Sequence, residues 1–373
     1  MSVIRHRDVF FFPGYDVAGI KRYHRYLKRQ CGWYRRRADV EIEVGELTPG
    51  DMEGWSVANV SANWPEGRVQ TRFHYCNWRD DVARDYAPHF LIRTLRMLKA
   101  VLRMAIRGHI GRVTRKGPMF SAALGLPVYL TVLRCVCIAA ALLFAAQGGV
   151  WIAVGAVFAL ASLYGLKRLG DALYEPFFMN YLPYLERVLY QEGHGIGGQL
   201  EEAIASLTSY GDAPSADHGE LLIVGHSYGA VPAIIAADQL TRAGKDVSLL
   251  TVGSIAACVA LEPDEAIIRP HMEALHRSER ICWREYFAPQ DSLCFSRLKM
   301  RQDFRLKIDG PIIGDIRMLS ARFGEVVAQR KLDKFRNNLL RMHFQFLMAV
   351  DQPGRYDFHR FTLGPDPLNK AAR

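Results

Sequence analysis

The sequence lacks the cysteine pattern of a disulfide-rich or zinc-binding protein. Its 373 residues include seven cysteines, an odd number with no pair of C-x-x-C motifs. This excludes a fully paired disulfide scaffold and favours a reducing, cytoplasmic setting for the soluble part. Zinc motifs, a Walker loop and a dinucleotide fingerprint are also missing, so the sequence implies neither a metal nor a cofactor.

The first residues lack the pattern of a secretory signal. Their apolar run, residues 9–12, stops at a Pro-Gly pair and has no cleavage site of small residues. It is also shorter than the apolar core of a signal sequence. We therefore expect this run to form the first core strand of the fold.

One short motif carries most of the functional information. The pentapeptide GHSYG at residues 225–229 follows the apolar run 221–224 and precedes a helix-like segment, 230–237. Strand, sharp turn and helix in this order are the setting of a G-x-S-x-G nucleophile elbow. The serine there has a strained backbone, and its flanking glycines leave room for the neighbouring chain. We predict Ser227 as a nucleophile; an ordinary strand-to-helix turn is the alternative.

At this motif the chain resembles the α/β-hydrolase superfamily, whose members are mostly serine esterases, lipases, thioesterases and peptidases. The resemblance covers residues 8–80 and 180–360 as a pattern of strands and helices. It implies an α/β fold with a mostly parallel sheet flanked by helices. It also implies an acidic residue and then a histidine after the serine.

Asp291 is the predicted acid of this constellation. It follows the strand-like segment 281–287 and so stands at the carboxyl end of a late strand. Aspartate is also common in turns, which gives Asp291 an alternative, structural role after Pro289.

His343 is the predicted base, about fifty residues beyond the acid and at the head of an apolar segment. His359 is the runner-up, whereas His271 and His276 lie closer to a helix than to a loop. His226 precedes the serine directly, and neighbours on an elbow point apart, so we expect it to pack or to donate a hydrogen bond. A histidine on an apolar face is often only a core residue, and that alternative applies to His343 too.

An acyl-transfer site also needs donors for the oxygen that becomes negative. The resemblance implies that the backbone N–H of Tyr228 is one donor, and that the loop after the first strand supplies another through Gly14 or Tyr15. The usual His-Gly pair of that loop is replaced here by Pro13-Gly14.

Two apolar stretches, residues 130–146 and 150–166, are joined by Gln-Gly-Gly and predict a transmembrane hairpin. We expect Arg134 to extend its guanidinium towards the headgroups. A helical hairpin buried in a soluble core is the alternative.

Basic residues are dense on both sides of this hairpin, which predicts that both flanks stay cytoplasmic. Within residues 91–107, apolar positions recur every three to four residues beside a basic face. This pattern indicates an amphipathic helix on anionic lipid headgroups. The basic residues lack interleaved aromatics, so we expect no nucleic-acid partner for the net charge of +10.

The predicted organisation has three parts. Residues 1–85 and 176–373 form the two halves of the hydrolase domain, and residues 86–175 form a membrane-associated insertion. The expected protein is a serine hydrolase anchored in the inner or plasma membrane, with its catalytic domain on the cytoplasmic side. It would cleave an ester or thioester, and lipid-derived or acyl substrates are favoured because they are concentrated at the membrane.

Three alternatives to this function stay open. An amide substrate or acyl transfer to another acceptor would use the same three residues. A hydrolase fold without activity would serve as a membrane scaffold or interaction protein. A transporter component is the third, although two short apolar segments with one charge offer little for a pore.

Overall fold

The chain is described by a computed structural model that covers residues 3–38, 40–190, 196–211, 219–262, 267–296 and 298–372. Two compact units are present. The first consists of Met1–Arg84 and Arg187–Arg373, and the second of Asp85–Glu186.

The first unit is built on one β-sheet. Its nine strands in the described residues are β1 His6–Phe12, β2 Glu41–Val44, β3 Thr48–Pro49, β4 Trp55–Trp64, β5 Gly67–Cys76, β6 Gly219–His226, β7 Val247–Val252, β8 Ile281–Phe287 and β9 Asp315–Ser320. The order is β2-β4-β5-β1-β6-β7-β8-β9, and β3 pairs with β4. All neighbours from β5 to β9 are parallel, and β2, β3 and β5 are antiparallel to β4. The predicted α/β class with a mostly parallel sheet is confirmed.

Helices alternate with these strands. They are α1 Ile20–Arg35, α2 Arg79–Tyr86, α3 Phe90–Ile106, α4 His109–Lys116, α5 Pro118–Ala145, α6 Val150–Ala172, α7 Glu175–Leu189, α8 Gly198–Thr208, α9 Ala230–Arg242, α10 Ala256–Ala260, α11 Arg269–His276, α12 Met300–Asp303, α13 Phe323–Val326, α14 Gln329–Phe335, α15 Leu339–His343, α16 Phe358–Leu363 and α17 Leu368–Ala371.

The core of the first unit lies on both faces of the sheet because its central strands are apolar throughout, as buried parallel strands usually are. On one face, α1 and α16 cover alternate residues of the central strands, among them Val9, Leu222 and Leu250. On the other face, α9 packs against β6 and β7, and α8 and α11 pack against α9. Helices therefore cover both faces of the sheet and leave the strand ends available for a site.

The second unit contains the two apolar helices. α5 has 28 residues and α6 has 23. An 18-residue segment of α5 has a mean hydropathy of 2.3 and one of α6 has 1.7, and only 11% of each segment is buried. Both are long and apolar enough to cross a membrane. The first helix begins at Pro118, twelve residues before the predicted apolar stretch. Proline is well tolerated in the first turn of a helix.

The guanidinium of Arg134 forms a bidentate ion pair with Glu175 at the start of α7, with 2.6 Å between Nη2 and Oε2. The opposite charge of Glu175 offsets part of the cost of desolvating this guanidinium. The expected position of Arg134 towards the headgroups stays a prediction.

Candidate active site

Ser227 lies at the carboxyl end of β6, between β1 and β7. Its φ of 58° is in the left-handed region, where a residue with a side chain is rare. A Cβ on Gly225 would stand 2.5 Å from Cα of Ala230, and one on Gly229 would meet the carbonyl oxygens of Phe12 and Pro13. Glycine is therefore required on both sides of the turn, as a nucleophile elbow demands.

Asp291 and His343 form a buried pair. Asp291 lies in the turn after β8, and its Oδ2 accepts a hydrogen bond of 2.6 Å from Nδ1 of His343 at the end of α15. Its other oxygen accepts a 2.9 Å bond from the N–H of Leu293, which fixes the carboxylate plane. The exposed fractions of Asp291 and His343 are 3% and 4%.

This pairing sets the tautomer of a neutral His343. A carboxylate only accepts, so in the neutral ring Nδ1 carries the proton and Nε2 presents a lone pair. Nε2 is buried and has no hydrogen-bond partner among the residues the structure describes. The imidazole is thus oriented as a base whose accepting nitrogen is available.

A single short loop, residues 253–255, contacts both the serine and the histidine. The N–H of Ile255 donates a 3.3 Å hydrogen bond to the carbonyl oxygen of Ser227. Gly253 has a φ of 55°, and a Cβ there would stand 3.1 Å from Cε1 of His343. The loop after β7 therefore brings together residues that lie 116 positions apart in the sequence.

Gly14 lies against the serine. A Cβ on Gly14 would stand 3.0 Å from Cβ and 3.4 Å from Oγ of Ser227, so only glycine lets the loop after β1 approach this closely. The backbone of Gly14 also faces the buried hydroxyl of Tyr23. Gly14 and Tyr15 both remain candidates for the second oxyanion donor.

Trp78 contacts both the loop after β1 and the turn that contains Ser227. Its ring lies 5.6 Å from that of Tyr228 and 6.1 Å from that of Tyr15, and its indole N–H donates to the carbonyl of Pro13 at 3.3 Å. The loop after β1 and the elbow are thereby fixed to the segment after β5. The sequence analysis missed Trp78, and no local motif marks it.

His226 packs against His343. Its ring centroid lies 4.9 Å from that of His343, and its Nε2 is 3.4 Å from the carbonyl oxygen of His343. Burial, with His343 as the next cause, holds the pKa of His226 well below its ordinary value, so this ring stays neutral.

The other candidate histidines contact residues outside the Asp291–His343 pair. The ring of His359 stacks on Tyr34 at 5.3 Å, and burial lowers its pKa to about 3. His271 pairs with Asp238 at 2.7 Å, and His276 contacts the carbonyl of Met272 at 2.7 Å. Asp291 therefore meets His343 and none of these three.

No group of three or more histidine, cysteine or acidic residues that could hold a metal ion occurs in the described ranges. All seven cysteines are free thiols.

Comparison of the chain with protein-family models, with curated proteins and with solved structures gave no match in any of the three. The function is therefore argued from the geometry of the site.

Proposed function

We propose that this chain is a membrane-anchored serine hydrolase that cleaves an ester or thioester. One observation carries the proposal: Asp291 holds His343 with Nε2 available, and one short loop, residues 253–255, reaches both His343 and Ser227, which lies in a strained turn typical of a nucleophile elbow. Serine, acid and histidine come in the chain order of the α/β-hydrolase superfamily.

The chemistry begins when Oγ of Ser227 attacks the carbonyl carbon of the substrate and its proton passes to Nε2 of His343. Asp291 stabilises the imidazolium that forms. His343 then gives the proton to the departing alcohol or thiol, which leaves an acyl group on Ser227. A water molecule, deprotonated by His343, attacks this acyl group, releases the carboxylic acid and restores the serine.

Backbone donors stabilise the negative oxygen in both steps. The N–H of Tyr228 is one donor, and Gly14 or Tyr15 supplies the other, because the loop after β1 passes so close to Ser227 that a Cβ on Gly14 would stand 3.4 Å from the serine Oγ. Removing one such donor in a serine hydrolase costs about a hundredfold or more in rate.

The membrane part of the proposal rests on the second unit. In α3, the stripe of Leu91, Leu95, Leu102 and Ile106 is 60–77% exposed, whereas Met97 and Met104 are buried. A helix in water normally turns its apolar stripe inwards. We infer that this stripe contacts lipid, next to the headgroups that the basic residues of α3 would bind, with α5 and α6 entering the bilayer.

The proposed substrates are lipid-derived or acyl compounds. A catalytic unit tethered to a bilayer meets such compounds at high local concentration. The basic residues on both sides of the hairpin support a cytoplasmic position for the catalytic unit in this proposal.

Labelling of membranes with a fluorophosphonate probe tests the catalytic proposal. Wild type should label, and Ser227→Ala and His343→Ala should not. His359→Phe is the matched control, because it replaces a buried histidine away from Ser227 and should keep its label. Wild type that is folded but unlabelled would instead favour a silent hydrolase-fold scaffold.

Amide hydrogen exchange in lipid nanodiscs tests the membrane proposal. Residues 90–106 should exchange more slowly in discs with anionic lipid than in zwitterionic discs. Equal exchange in both would contradict headgroup binding by α3, and release of the chain from membranes by alkaline carbonate would contradict insertion of α5 and α6.

A further inference from the structure

Arg134 divides the apolar hairpin of α5 and α6 into two parts. It is the single charged residue between positions 118 and 166. The next charged residues along the chain are Lys167, Arg168 and Asp171, which are exposed near the end of α6. The part beyond Arg134, residues 135–166, carries no charge and is called the tip segment below.

The position of the Arg134 guanidinium is fixed at the end of the hairpin opposite to the tip. It pairs with both carboxylate oxygens of Glu175, and it lies 5.5 Å from the ring centroid of Phe90 at the start of α3. The carboxyl of Glu175 lies against Gly170, where an added Cβ would stand 3.1 Å from its Cδ. The guanidinium is therefore level with the charged end of α6 and with the amphipathic helix α3.

Burial along α5 changes at Arg134. Of the residues of α5 that are buried, only Ala141 follows Arg134; those that precede it are Phe120, Ala123, Leu124, Pro127 and Leu130. Beyond Arg134, Leu142 and Leu143 are 65% and 70% exposed, and Val157 and Leu160 of α6 are 66% and 71% exposed. Most of the exposed apolar surface of the hairpin therefore belongs to the tip segment.

The tip segment is too short to cross a bilayer. Residues 135–145 of α5 extend about 17 Å at a rise of 1.5 Å per residue, and residues 150–166 of α6 extend about 26 Å. The hydrocarbon core is about 30 Å thick and needs about 20 residues of helix. An extended arginine side chain adds only a few ångströms. With the guanidinium at the headgroups, α5 cannot carry the turn to the opposite surface.

The turn between the two helices suits a position inside hydrocarbon. The N–H groups of residues 146–148 donate to carbonyls of α5 at 2.9–3.1 Å, and those of Trp151 and Ile152 donate to the two glycines of the turn at 3.2 and 3.3 Å. Backbone groups within lipid must find such partners in the protein, because no water is present. The turn also lacks a charged side chain, which would be costly there.

We propose that α5 and α6 form a re-entrant hairpin, which enters the bilayer from the surface that α3 contacts and ends within the hydrocarbon. The Arg134–Glu175 pair stays at the headgroups and limits the depth of insertion. The partner of the tip segment is the acyl-chain region of the bilayer. This inference rests on the membrane part of the proposed function and differs from the transmembrane hairpin that the sequence predicts.

Thiol labelling of the full-length chain in liposomes tests the depth. The variant Gln147→Cys places a thiol at the turn, and Lys167→Cys is the matched control at the charged end of α6. Both are made in a chain whose cysteines that are not buried, Cys135, Cys137 and Cys282, are replaced by alanine. A charged, membrane-impermeant maleimide is supplied on both sides of the bilayer, so the orientation of the chain does not affect the result.

Gln147→Cys should label at least about tenfold more slowly in liposomes than in detergent, because the reactive thiolate does not form in hydrocarbon. Lys167→Cys should label at similar rates in both. A fluorophore attached at position 147 before reconstitution should be quenched more strongly by lipids brominated near the ends of their acyl chains than by lipids brominated near their headgroups.

Three results would overturn the inference. Labelling of Gln147→Cys in liposomes as fast as that of Lys167→Cys, or stronger quenching by bromine near the headgroups, would place the turn at a membrane surface. Protection from maleimide without quenching by either lipid would mean that protein, such as a second copy of the chain, covers the tip segment. Release of the wild-type chain by alkaline carbonate is a separate outcome, which would overturn the membrane part of the proposed function itself.

Discussion

Replacing Asp291 by asparagine should disable the base without disturbing the packing. The N–H of Leu293 bonds to one oxygen of Asp291, so the oxygen of the new amide would take that position. Its NH₂ group would then face Nδ1 of His343, which must accept instead of donate. The imidazole proton moves to Nε2, and the nitrogen that should receive the serine proton is already protonated.

The size of this loss follows from the geometry. When His343 becomes positive, its charge lies roughly 4 Å from that of Asp291, which is worth about 4 kcal/mol at an effective dielectric constant near 20. That energy corresponds to about a thousandfold in rate. The unfavourable tautomer adds to the loss, and the same substitution in a serine protease triad costs about ten thousandfold.

The assay is the rate of fluorophosphonate labelling at pH 7.5, together with hydrolysis of a p-nitrophenyl ester. Asp357→Asn is the matched control, because Asp357 is a buried aspartate that bonds to Tyr34 and caps α16. That variant should label at the wild-type rate once folded. If Asp291→Asn labels within about tenfold of wild type, Asp291 does not orient the base.

Three further predictions concern folding and stability. His359→Phe should lose less stability in acid than wild type. A histidine whose burial lowers its pKa from 6.5 to about 3 contributes its full stability above pH 6.5. Below that pH it lowers the free energy of unfolding by about 1 kcal/mol per pH unit. Parallel acid unfolding curves would contradict this. Gly229→Ala should cost about 3 kcal/mol or more because its Cβ would stand 2.7 Å from the Pro13 oxygen, whereas Gly198→Ala, with open space, should be neutral in thermal unfolding. Arg7→Met should cost about 3–5 kcal/mol by leaving its buried carboxylate partner on β6 unpaired, and an unchanged melting temperature would refute this.

The regular parts of the fold were predictable because apolar runs define them. β8 has the predicted bounds, and β6 extends the predicted run 221–224 on both sides. β9 was missed: Asp315–Ser320 carries an aspartate and an arginine, is at most half-buried, and lacks the apolar run that marks a core strand.

The candidate site was predictable only where a local sequence pattern marks its residues. The elbow carries its glycines beside the serine, and Asp291 stands directly after a strand. Trp78 has no such signal, because a tryptophan after β5 gains its contacts only when the sheet forms.

Arg7 shows how the distant halves of the sheet are joined. β1 pairs directly with both β5 and β6, although more than 140 residues separate those two strands in the sequence. In this register Arg7 lies opposite Glu220, and it also bonds to the carbonyl oxygens of Gly364 and Asp366. A buried guanidinium is tolerated only when all these partners are present, because each missing one leaves donors desolvated. Pairing of β1 with β6, which brings Gly14 against Ser227, is therefore stabilised when the carboxyl-terminal segment docks on Arg7.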